Sequence, residues 1–439
     1  MKRLALVALV VVTVGAAALA GYVLYVLHQE RDVRGSTVEF VATDVPAAKP
    51  AAPATKPAAP SQERSRTSVD RTVAWPTYGY DASRLRSTST FDLRPPFRPV
   101  WIFHGRALLE FPPAIAYGHV YLPTFDGRFY ALDARTGKTI WHVRTGRCVW
   151  ASPAVHGGLV FETFIGHVCN AAVPGSNGEV VAFDAATGRI RWRRVIGPTE
   201  SSPLVANGLV YVGDWTGRVY ALSETSGRIR WMSMTGGAIK GSAAIAHGRL
   251  YIGSYDGHVY ALSARTGRRL WVASGQPRLG SAGTFYSTPA VAYGRVYIGS
   301  TDGKVYSFGA QSGTLRWSHH TGGYVYASPA IWRSLVLIGS YDKSFYAFDA
   351  ATGDMRWRFN ANGPISGSAT VLNGVVYFST FNERTYALDA ATGRLRWTWP
   401  DGKYSPVVSD TRQMYLTGLG RLYAMVEKGS KTPRVSQRR

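Results

Sequence analysis

The stretch SPLVANGLVYVGDWTGRVYALSETSGRIRW, residues 202–231, decides the fold of this chain. It contains four short runs rich in β-branched and aromatic residues, and Asn-Gly, Thr-Gly and Ser-Gly pairs separate them as tight turns. The pattern therefore predicts four antiparallel strands in one sheet. In chain order we name them strands A, B, C and D, near residues 203–205, 209–212, 218–222 and 228–231.

The tryptophan that closes this unit recurs along the chain at steps of 39 to 51 residues, most often 40. A period of this size with four strands per unit is typical of propeller blades. We expect each of these tryptophans to pack between neighbouring blades. They are Trp101, Trp141, Trp192, Trp231, Trp271, Trp317, Trp357 and Trp397.

Seven complete units end at Trp141 through Trp397, and an eighth unit, Ser405–Val426, lacks its final strand. The missing strand is available at the other end of the domain, as Pro99–Phe103. Pairing the two would close the ring and leave no open sheet edge between its ends. The sequence thus predicts an all-β, eight-bladed β-propeller of four-stranded blades, closed by its N- and C-terminal strands.

Composition excludes several classes of protein. Charged residues make up 18% of the 439 residues and aromatic residues 13%, which excludes a disordered chain. Two cysteines cannot build a disulfide-rich fold or a four-cysteine zinc site. Aspartates of the B–C turns, such as Asp126, Asp256 and Asp302, are expected to be turn residues, so no metal site is predicted.

The N-terminus predicts attachment to a membrane. Lys2 and Arg3 precede an uncharged stretch, Leu4–Leu27, which as a helix would be about 36 Å long and could span a bilayer core of about 30 Å. The basic residues in front favour an N-terminus inside and a propeller on the extracytoplasmic side. A signal peptide cleaved after Ala20 is the alternative.

These features divide the chain into four regions. Residues 1–28 form a cytoplasmic tip and transmembrane anchor, and residues 29–73 form a disordered linker rich in alanine and proline. Residues 74–427 form the propeller, and residues 428–439 form a basic tail. We expect the protein to be monomeric.

The repeat resembles a known family. The pattern Tyr-Ala-Leu-(Asp/Ser)-Ala-x-Thr-Gly-x-x-x-Trp, as in Tyr130–Trp141, Tyr260–Trp271 and Tyr386–Trp397, is similar to the pyrroloquinoline-quinone (PQQ) type propeller repeat. Trp75–Asp81 resembles the segment that opens many such domains. The resemblance implies either a non-catalytic envelope scaffold similar to BamB or a quinoprotein dehydrogenase that binds PQQ and calcium.

The scaffold is the leading interpretation, because the adjacent cysteine pair typical of the dehydrogenases is absent from the sequence. On this interpretation no cofactor is expected, and the partner is an envelope protein. The alternatives are a PQQ-dependent dehydrogenase and a binder of anionic glycan or cell-wall polymer. The net charge of +23 suits an anionic glycan or lipid surface, although an arginine-rich composition explains it equally well. Nucleic acid is not expected as a partner of an exported domain.

Two insertions interrupt the repeat. The distance from strand A to the closing tryptophan is 28 residues in six units but 39 in the unit that ends at Trp192, and the extra residues fit His167–Asn177. About six further residues fall near Gly275–Gly283. The first insertion is a B–C connection and the second a D–A connection, and both types lie on one face of a propeller. Function is expected on that face.

Aromatic and charged residues of the D–A loops on this face form the candidate binding site. The alternative is that these bulky side chains only fill the channel of a wide ring. The candidates are Arg147, Trp150, Glu200, Lys240, Phe285, Tyr286, Tyr324, Tyr326, Lys403 and Tyr404.

The two cysteines, Cys148 and Cys169, are predicted to form a disulfide, since export gives an oxidising environment. Cys148 precedes strand A of the second blade and Cys169 lies in the insertion after strand B, so both emerge on the same face. The bond would fix the insertion beside the channel mouth. Two buried free thiols are the alternative.

Overall fold

The computed structural model describes residues 2–29, 31–43, 72–166, 177–276, 283–404, 407–433 and 435. Within the N-terminal helix, side chains are described for residues 11–24.

Eight antiparallel sheets of four repeat strands form the predicted eight-bladed ring. In each blade strand A is innermost and strand D outermost. Blades 1 to 4 consist of β4 (Ala114–Ala116), β5 (His119–Pro123), β6 (Arg128–Asp133) and β7 (Thr139–Arg144); β8 (Ala154–His156), β9 (Leu159–Phe164), β10 (Gly178–Asp184) and β11 (Ile190–Ile196); β12 (Leu204–Ala206), β13 (Leu209–Gly213), β14 (Arg218–Ser223) and β15 (Ile229–Met234); and β16 (Ala244–Ala246), β17 (Arg249–Gly253), β18 (His258–Ser263) and β19 (Arg269–Ser274).

The second half of the ring repeats this arrangement. Blades 5 to 8 consist of β20 (Ala290–Ala292), β21 (Arg295–Gly299), β22 (Lys304–Gly309) and β23 (Leu315–His320); β24 (Ala330–Trp332), β25 (Leu335–Gly339), β26 (Ser344–Asp349) and β27 (Met355–Asn360); β28 (Thr370–Leu372), β29 (Val375–Thr380), β30 (Arg384–Asp389) and β31 (Leu395–Trp399); and β32 (Val408–Ser409), β33 (Met414–Thr417), β34 (Arg421–Glu427) and β3 (Phe97–His104).

The ring closes as the sequence predicts. Strand β3 pairs antiparallel with β34 over its whole length, from Phe97 opposite Glu427 to His104 opposite Arg421. The first strand of the repeat region therefore supplies the outer strand of the last blade.

The repeated tryptophans lie between blades, which confirms their predicted role. The indole nitrogen of Trp231, for example, donates to the carbonyl oxygen of Ala264 in the next blade at 3.0 Å. Its ring packs on Gly267, where a Cβ atom would lie only 2.5 Å from an indole carbon. The glycine of the C–D turn is thus required by this packing as well as by its positive φ.

Residues 75–88, here called the channel segment, cross the central channel and bond to the inner strands of seven blades. The segment starts in β1 (Val73–Trp75), which pairs with β4, and ends in β2 (Ser87–Thr88), which lies parallel to β28. Between them, the carbonyl oxygens of Pro76, Ala82, Ser83 and Leu85 accept hydrogen bonds from strand A of blades 2, 4, 5 and 6. Thr77 donates to Pro203 of blade 3. The sequence analysis did not predict that these residues lie in the central channel.

Two arginines of the channel segment are completely buried at the centre of the ring. Arg84 donates from Nε to Ala243 at 2.9 Å and from Nη1 to Thr77 Oγ1 at 2.9 Å and to the carbonyl oxygen of Tyr78. Burial lowers the pKa of both arginines and raises the pKa of the neighbouring Asp81 to about 6. The channel is therefore filled by a hydrogen-bonded polar segment.

Residues 31–43, here called the strap, lie against blade 5 and reach the C–D turn of blade 6, where the amide of Gly35 donates to Thr352 at 2.9 Å. The amide of Ser318 in β23 donates to Val33 at 3.0 Å, and Arg295 donates to the carbonyl oxygen of Ser36 at 2.8 Å. Glu39 pairs with Arg316 at 2.6 Å. The prediction of a disordered linker over residues 29–73 is therefore wrong for residues 31–43. These residues form hydrogen bonds and an ion pair with residues of blade 5. Residues 44–71 lie outside the described part.

The N-terminal helix α1 covers Lys2–Gln29. Within the residues that the structure describes, no helix has both the length and the apolar character that crossing a membrane requires. The predicted membrane span over Leu4–Leu27 is thus not confirmed.

Candidate functional site

A pocket of about 70 Å³ lies at the mouth of the channel, on the face that carries the B–C and D–A connections. Tyr78 of the channel segment forms part of its floor. The Tyr78 hydroxyl lies 2.7 Å from Ser368 Oγ. Burial by itself would raise the pKa of Tyr78, but the Arg86 guanidinium and the hydroxyls of Ser368 and Ser328 outweigh it and lower this pKa. The pocket is therefore closed from beneath by a phenol that rests on a buried cation.

Five hydroxyl side chains line the lower wall of the pocket and connect successive blades; we call them the hydroxyl ring. Each oxygen accepts a hydrogen bond, at 2.9 to 3.0 Å, from the backbone N–H of the equivalent residue in the preceding blade. The sequence uses this position as the residue before the proline or alanine at the start of strand A. The ring consists of Ser202, Ser242, Thr288, Ser328 and Ser368.

The upper wall holds an ion pair between a partly buried lysine and a buried glutamate. Lys240 Nζ lies 3.4 Å from Glu200 Oε1, and the Tyr286 hydroxyl donates to Glu200 Oε2 at 3.0 Å. The same ammonium lies 3.8 Å from the ring centre of Trp215 and 5.3 Å from that of Tyr255. Burial raises the pKa of Glu200, while Lys240 and Tyr286 act in the opposite direction. The ion pair is thus held in place by three aromatic side chains.

A second carboxyl group, Glu110, lies across the same pocket. It comes from the D–A connection between β3 and β4. Burial and the negative charge of Glu200 raise the pKa of Glu110 to about 7. Two carboxyl groups and one ammonium therefore face the pocket, and its charge depends on pH near neutrality.

Aromatic side chains surround the pocket in a nearly continuous arc, here called the aromatic rim. Neighbouring ring centres lie 5.0 to 6.4 Å apart, with Lys240 bridging Trp215 and Tyr255. Among the described residues, the buried indole N–H of Trp150 has no hydrogen-bond acceptor. The rim consists of Phe125, Trp150, Trp215, Tyr255, Tyr286, Tyr326, Tyr341, Phe381 and Tyr404.

Backbone hydrogen bonds between the two kinds of connection fix the rim. In blade 4 the amide of Tyr255, in the B–C turn, donates to Ala238 in the preceding D–A loop at 2.9 Å. The amides of Trp215, Tyr341 and Phe381 make the same contact in their blades. The repeat itself therefore places one turn side chain per blade at the same height around the channel.

Six of the ten predicted site residues belong to this site. Glu200, Lys240, Tyr286, Tyr326 and Tyr404 line the pocket, and Trp150 lies in the rim. Tyr324 contacts the rim at Tyr326 and Tyr341 and is 54% exposed.

Three predicted residues are placed differently from the expectation. Phe285 is completely buried, because it packs inside blade 5 against Tyr306 and Phe308. Arg147 points away from the pocket to Asn177 and Glu179, at 2.9 Å and 3.4 Å. Lys403 lies over the ring of Tyr404 and does not line the pocket. The site is therefore less basic than the sequence predicted.

Sequence reasoning missed the hydroxyl ring, Tyr78, Glu110 and the B–C members of the rim. A signal for the last group was present, since an aromatic residue stands beside the Asp or Asn of the B–C turn in five units. These pairs are Phe125-Asp126, Asp214-Trp215, Tyr255-Asp256, Tyr341-Asp342 and Phe381-Asn382.

The turn aspartates act as turn residues, as predicted. Asp256 accepts hydrogen bonds from the backbone amides of Gly236 and His258 at 2.7 and 3.0 Å, as well as from the Tyr260 hydroxyl. Across the described ranges no group of three or more His, Cys, Asp or Glu side chains is arranged to hold a metal ion.

The two insertions and the predicted disulfide fall largely outside the described residues. Cys148 forms an isolated bridge with Gly166, at the start of the first insertion. No cysteine in the described part of the chain is a free thiol. Because Cys169 and most of His167–Asn177 lie outside that part, the disulfide stays a prediction that mass mapping without reduction can test.

Comparison with known proteins places this fold among PQQ-repeat propellers. A sequence profile of the family described as "Outer membrane protein assembly factor BamB" matches residues 98–195, 176–358 and 321–432. BamB of Nitrosomonas eutropha is 29% identical over 140 residues, which are 31% of this chain and 31% of that protein.

Other relatives of this chain are quinone-dependent alcohol dehydrogenases. The dehydrogenase subunit of a quinone alcohol dehydrogenase from Komagataeibacter europaeus is 38% identical over 96 residues, 19% of this chain and 12% of that protein. This chain thus matches about a third or less of the length of these relatives. The crystal structure of BamB from Moraxella catarrhalis superposes with a TM-score of 0.63 at 16% identity, over 75% of this chain and 100% of that one.

Proposed function

Starting from the premise that this chain belongs to the PQQ-repeat β-propeller family of the outer membrane protein assembly factor BamB, we propose that it is a non-catalytic binding scaffold of the cell envelope. Its partner is an envelope protein that docks on the face with the aromatic rim. The observation that carries the proposal is the form of this site: a shallow pocket with a closed floor, surrounded by aromatic side chains.

The shape of the site favours holding a protruding segment of a protein over enclosing a free small molecule. Small-molecule sites commonly have volumes of roughly 300–1,000 Å³, whereas this pocket measures about 70 Å³. A volume of this size accommodates one side chain or a peptide turn. Rigid aromatic side chains around such a pocket are typical of protein-binding hot spots.

The chemistry of the site also suits a peptide. Hydroxyl groups of the hydroxyl ring line the pocket and offer hydrogen bonds to peptide carbonyl groups. Glu110 and Glu200 favour a partner side chain with an N–H or ammonium donor over an acidic one. The rim would bury apolar parts of the partner on both sides of this anchor.

We place this scaffold on the extracytoplasmic side of the cell membrane, as a monomer held by Leu4–Leu27. The support for this placement is the uncharged sequence behind Lys2 and Arg3. Cleavage after Ala20 would instead release the chain from its membrane anchor, and mass analysis of the mature N-terminus distinguishes the two.

A quinoprotein dehydrogenase is the second candidate, and the identity of 38% to the alcohol dehydrogenase subunit favours it. The residues of the pocket do not fit PQQ with calcium. PQQ carries three carboxyl groups, and Glu110 and Glu200 would repel them, while the channel segment occupies the space beneath. We therefore derive no reaction through this cofactor.

A binder of anionic glycan or cell-wall polymer is the third candidate. Its support is the net charge of +23. Within the pocket, however, the ammonium of Lys240 is already paired with Glu200, so an anion finds little uncompensated positive charge there. On this alternative the polymer would bind elsewhere on the basic surface.

A photocrosslinking amino acid placed at Tyr326 in the native cell tests the scaffold function. We expect one protein product at this position, and we expect Trp215→Ala to reduce its yield at least tenfold. The control position is Arg265, exposed in a C–D turn on the opposite face. Equal labelling from both positions, or no effect of Trp215→Ala, would contradict the proposal.

Titration of the full-length protein with PQQ and calcium tests the second candidate. We expect no saturable binding at micromolar concentrations and no dye-linked oxidation of alcohols. Saturable binding accompanied by such oxidation would replace the scaffold with the dehydrogenase. A glycan array with the same protein addresses the third candidate.

A further inference from the structure

The outer strand of blade 3, β15, exposes a row of apolar side chains. Ile229 is 46% exposed, Met232 49% and Met234 51%. Trp231, on the other face of the strand, makes the contact to blade 4, and the three apolar side chains remain about half exposed. Exposed apolar residues in a row of this kind mark an interaction surface more often than scattered single ones do.

The three side chains share one face of the sheet because of a bulge. Met232 lies opposite Tyr220 and Met234 opposite Arg218, and a shift in register then places Ile229 opposite Leu222. Tyr220 and Leu222 belong to the core between blades 2 and 3. The apolar row therefore continues this core outward, along the groove between the two blades.

The equivalent positions of other blades are mostly polar. The residues one and three places after the tryptophan are His142 and Arg144 in blade 1, and Arg358 and Asn360 in blade 6. Charged residues on an edge strand prevent association with other strands. Strand β15 lacks this protection at both positions, where methionine offers a flexible apolar surface that adapts to partners.

Blade 5 shows how this repeat accommodates an added segment at its outer edge. The strap lies beside β23, where the amide of Ser318 donates to Val33 at 3.0 Å and the amide of Val33 donates to Ser318 Oγ at 3.1 Å. Ser318 occupies the position of Met232 in its blade. A segment from outside the repeat can therefore bond to the free backbone edge of an outer strand without disturbing the ring.

The charges around β15 select the occupant. Arg228 and Arg230 are exposed beside the apolar row, and Arg218 lies opposite Met234. The acidic residues of this blade, Asp214 and Glu224, are buried. A second copy of this basic chain would be repelled, whereas an acidic segment would be attracted.

We propose that the outer edge of blade 3 is a docking site for an extended segment of a partner protein that alternates apolar and acidic residues. The segment adds beside β15 as a fifth strand, its apolar side chains cover Ile229, Met232 and Met234, and its carboxylates face the arginines. This surface is separate from the aromatic rim, so one scaffold would hold a partner at two places or two partners at once.

A defined peptide tests this inference on the full-length protein. The probe is a fluorescent nine-residue peptide that alternates glutamate and valine, and we expect saturable binding by fluorescence anisotropy. Replacing its glutamates with lysine, or its central valine with proline, should weaken binding at least tenfold, since the first removes the attraction to arginine and the second a strand hydrogen bond. We also expect slower hydrogen exchange of the β15 amides in the complex.

The protein variants compare the two exposed methionines of β15 with an exposed methionine of another blade. Met232→Ser with Met234→Ser should weaken binding at least tenfold, whereas Met355→Ser, on the outer strand of blade 6 and 49% exposed, should leave it unchanged. Absence of binding by the acidic peptide, equal binding of the lysine peptide or equal loss in both variants would overturn the inference. These outcomes are independent of crosslinking at Tyr326.

Discussion

The inner and outer ends of the blades are held together in different ways. At the inner end, the hydroxyl ring joins neighbouring blades at a repeated position, and the channel segment adds hydrogen bonds to residues far away in the sequence. At the outer end, six of the repeated tryptophans each pack on a glycine in the C–D turn of the next blade. The perimeter thus repeats a single local contact, whereas the centre depends on one non-repeated segment.

Removing a side chain of the channel segment should have the largest effect. Arg84→Ala leaves the buried carbonyl oxygens of Tyr78 and Ala243 without their donor and removes a positive charge near Asp81. We expect it to lower the free energy of unfolding by about 3–5 kcal/mol. Urea denaturation followed by tryptophan fluorescence measures the change. Arg333→Ala is the control, because Arg333 is exposed over Trp332 and its loss should cost about 0.5 kcal/mol or less. Equal losses would mean that the centre is not more important than the surface.

Crowding the outer contact should have a smaller effect. Gly227→Ala introduces a methyl group 2.5 Å from Trp192 at a backbone φ of +64°, and we expect a loss of about 2–3 kcal/mol. In Gly208→Ala the φ is also positive, at +74°, but the new methyl group contacts nothing within 4 Å. This variant isolates the backbone strain, about 1 kcal/mol. The difference between the two losses of unfolding free energy measures the cost of crowding the Trp192 indole.

The pocket should make stability depend on pH. Since burial and Glu200 raise the pKa of Glu110 from 4.5 to about 7, the folded chain binds an additional proton between these values. The free energy of unfolding must therefore fall as pH rises through this window, by about 1–3 kcal/mol from this group. Glu110→Gln should remove this part of the slope when urea denaturation at about pH 5 is compared with about pH 8. An unchanged slope would place the titrating group elsewhere.

Loosening the strap should have the smallest effect of these four changes. Glu39→Gln removes the charge from a pair with Arg316, in which both side chains are partly exposed. We expect a loss of about 0.5–1 kcal/mol. Hydrogen exchange should show faster exchange at Val33 and Ser318 while the amides of the channel segment remain unchanged. Faster exchange throughout the ring would contradict a strap that contacts only one side of the ring.

The sequence predicts the perimeter better than the centre for a physical reason. Each blade carries its own turn dipeptides and its own tryptophan, so eight copies of a local pattern identify the blades and their closure. The channel segment pairs with residues much later in the chain, as where the amide of Val371 donates to Arg86. No periodicity marks such contacts.

In the candidate site, too, the residues that the repeat marks were predictable and the others were not. Lys240 and Tyr286 could be predicted because they lie in recognisable D–A loops. Glu110 was missed because its loop precedes the first complete repeat. Phe285 was assigned to the site in error, since loop position does not tell which side of the loop a side chain faces.

The channel segment also constrains the order of assembly. It precedes every complete blade in the chain, yet its hydrogen bonds extend from blade 1 to blade 7. During synthesis it emerges before the blades, but it cannot make all its bonds before residues 370–372 of β28 have followed. Contacts over such sequence separations are slow to form, because the intervening chain must be ordered first. The earliest part of the domain to leave the ribosome is thus among the last to reach its final place, and the floor of the pocket is complete only once blade 7 has formed.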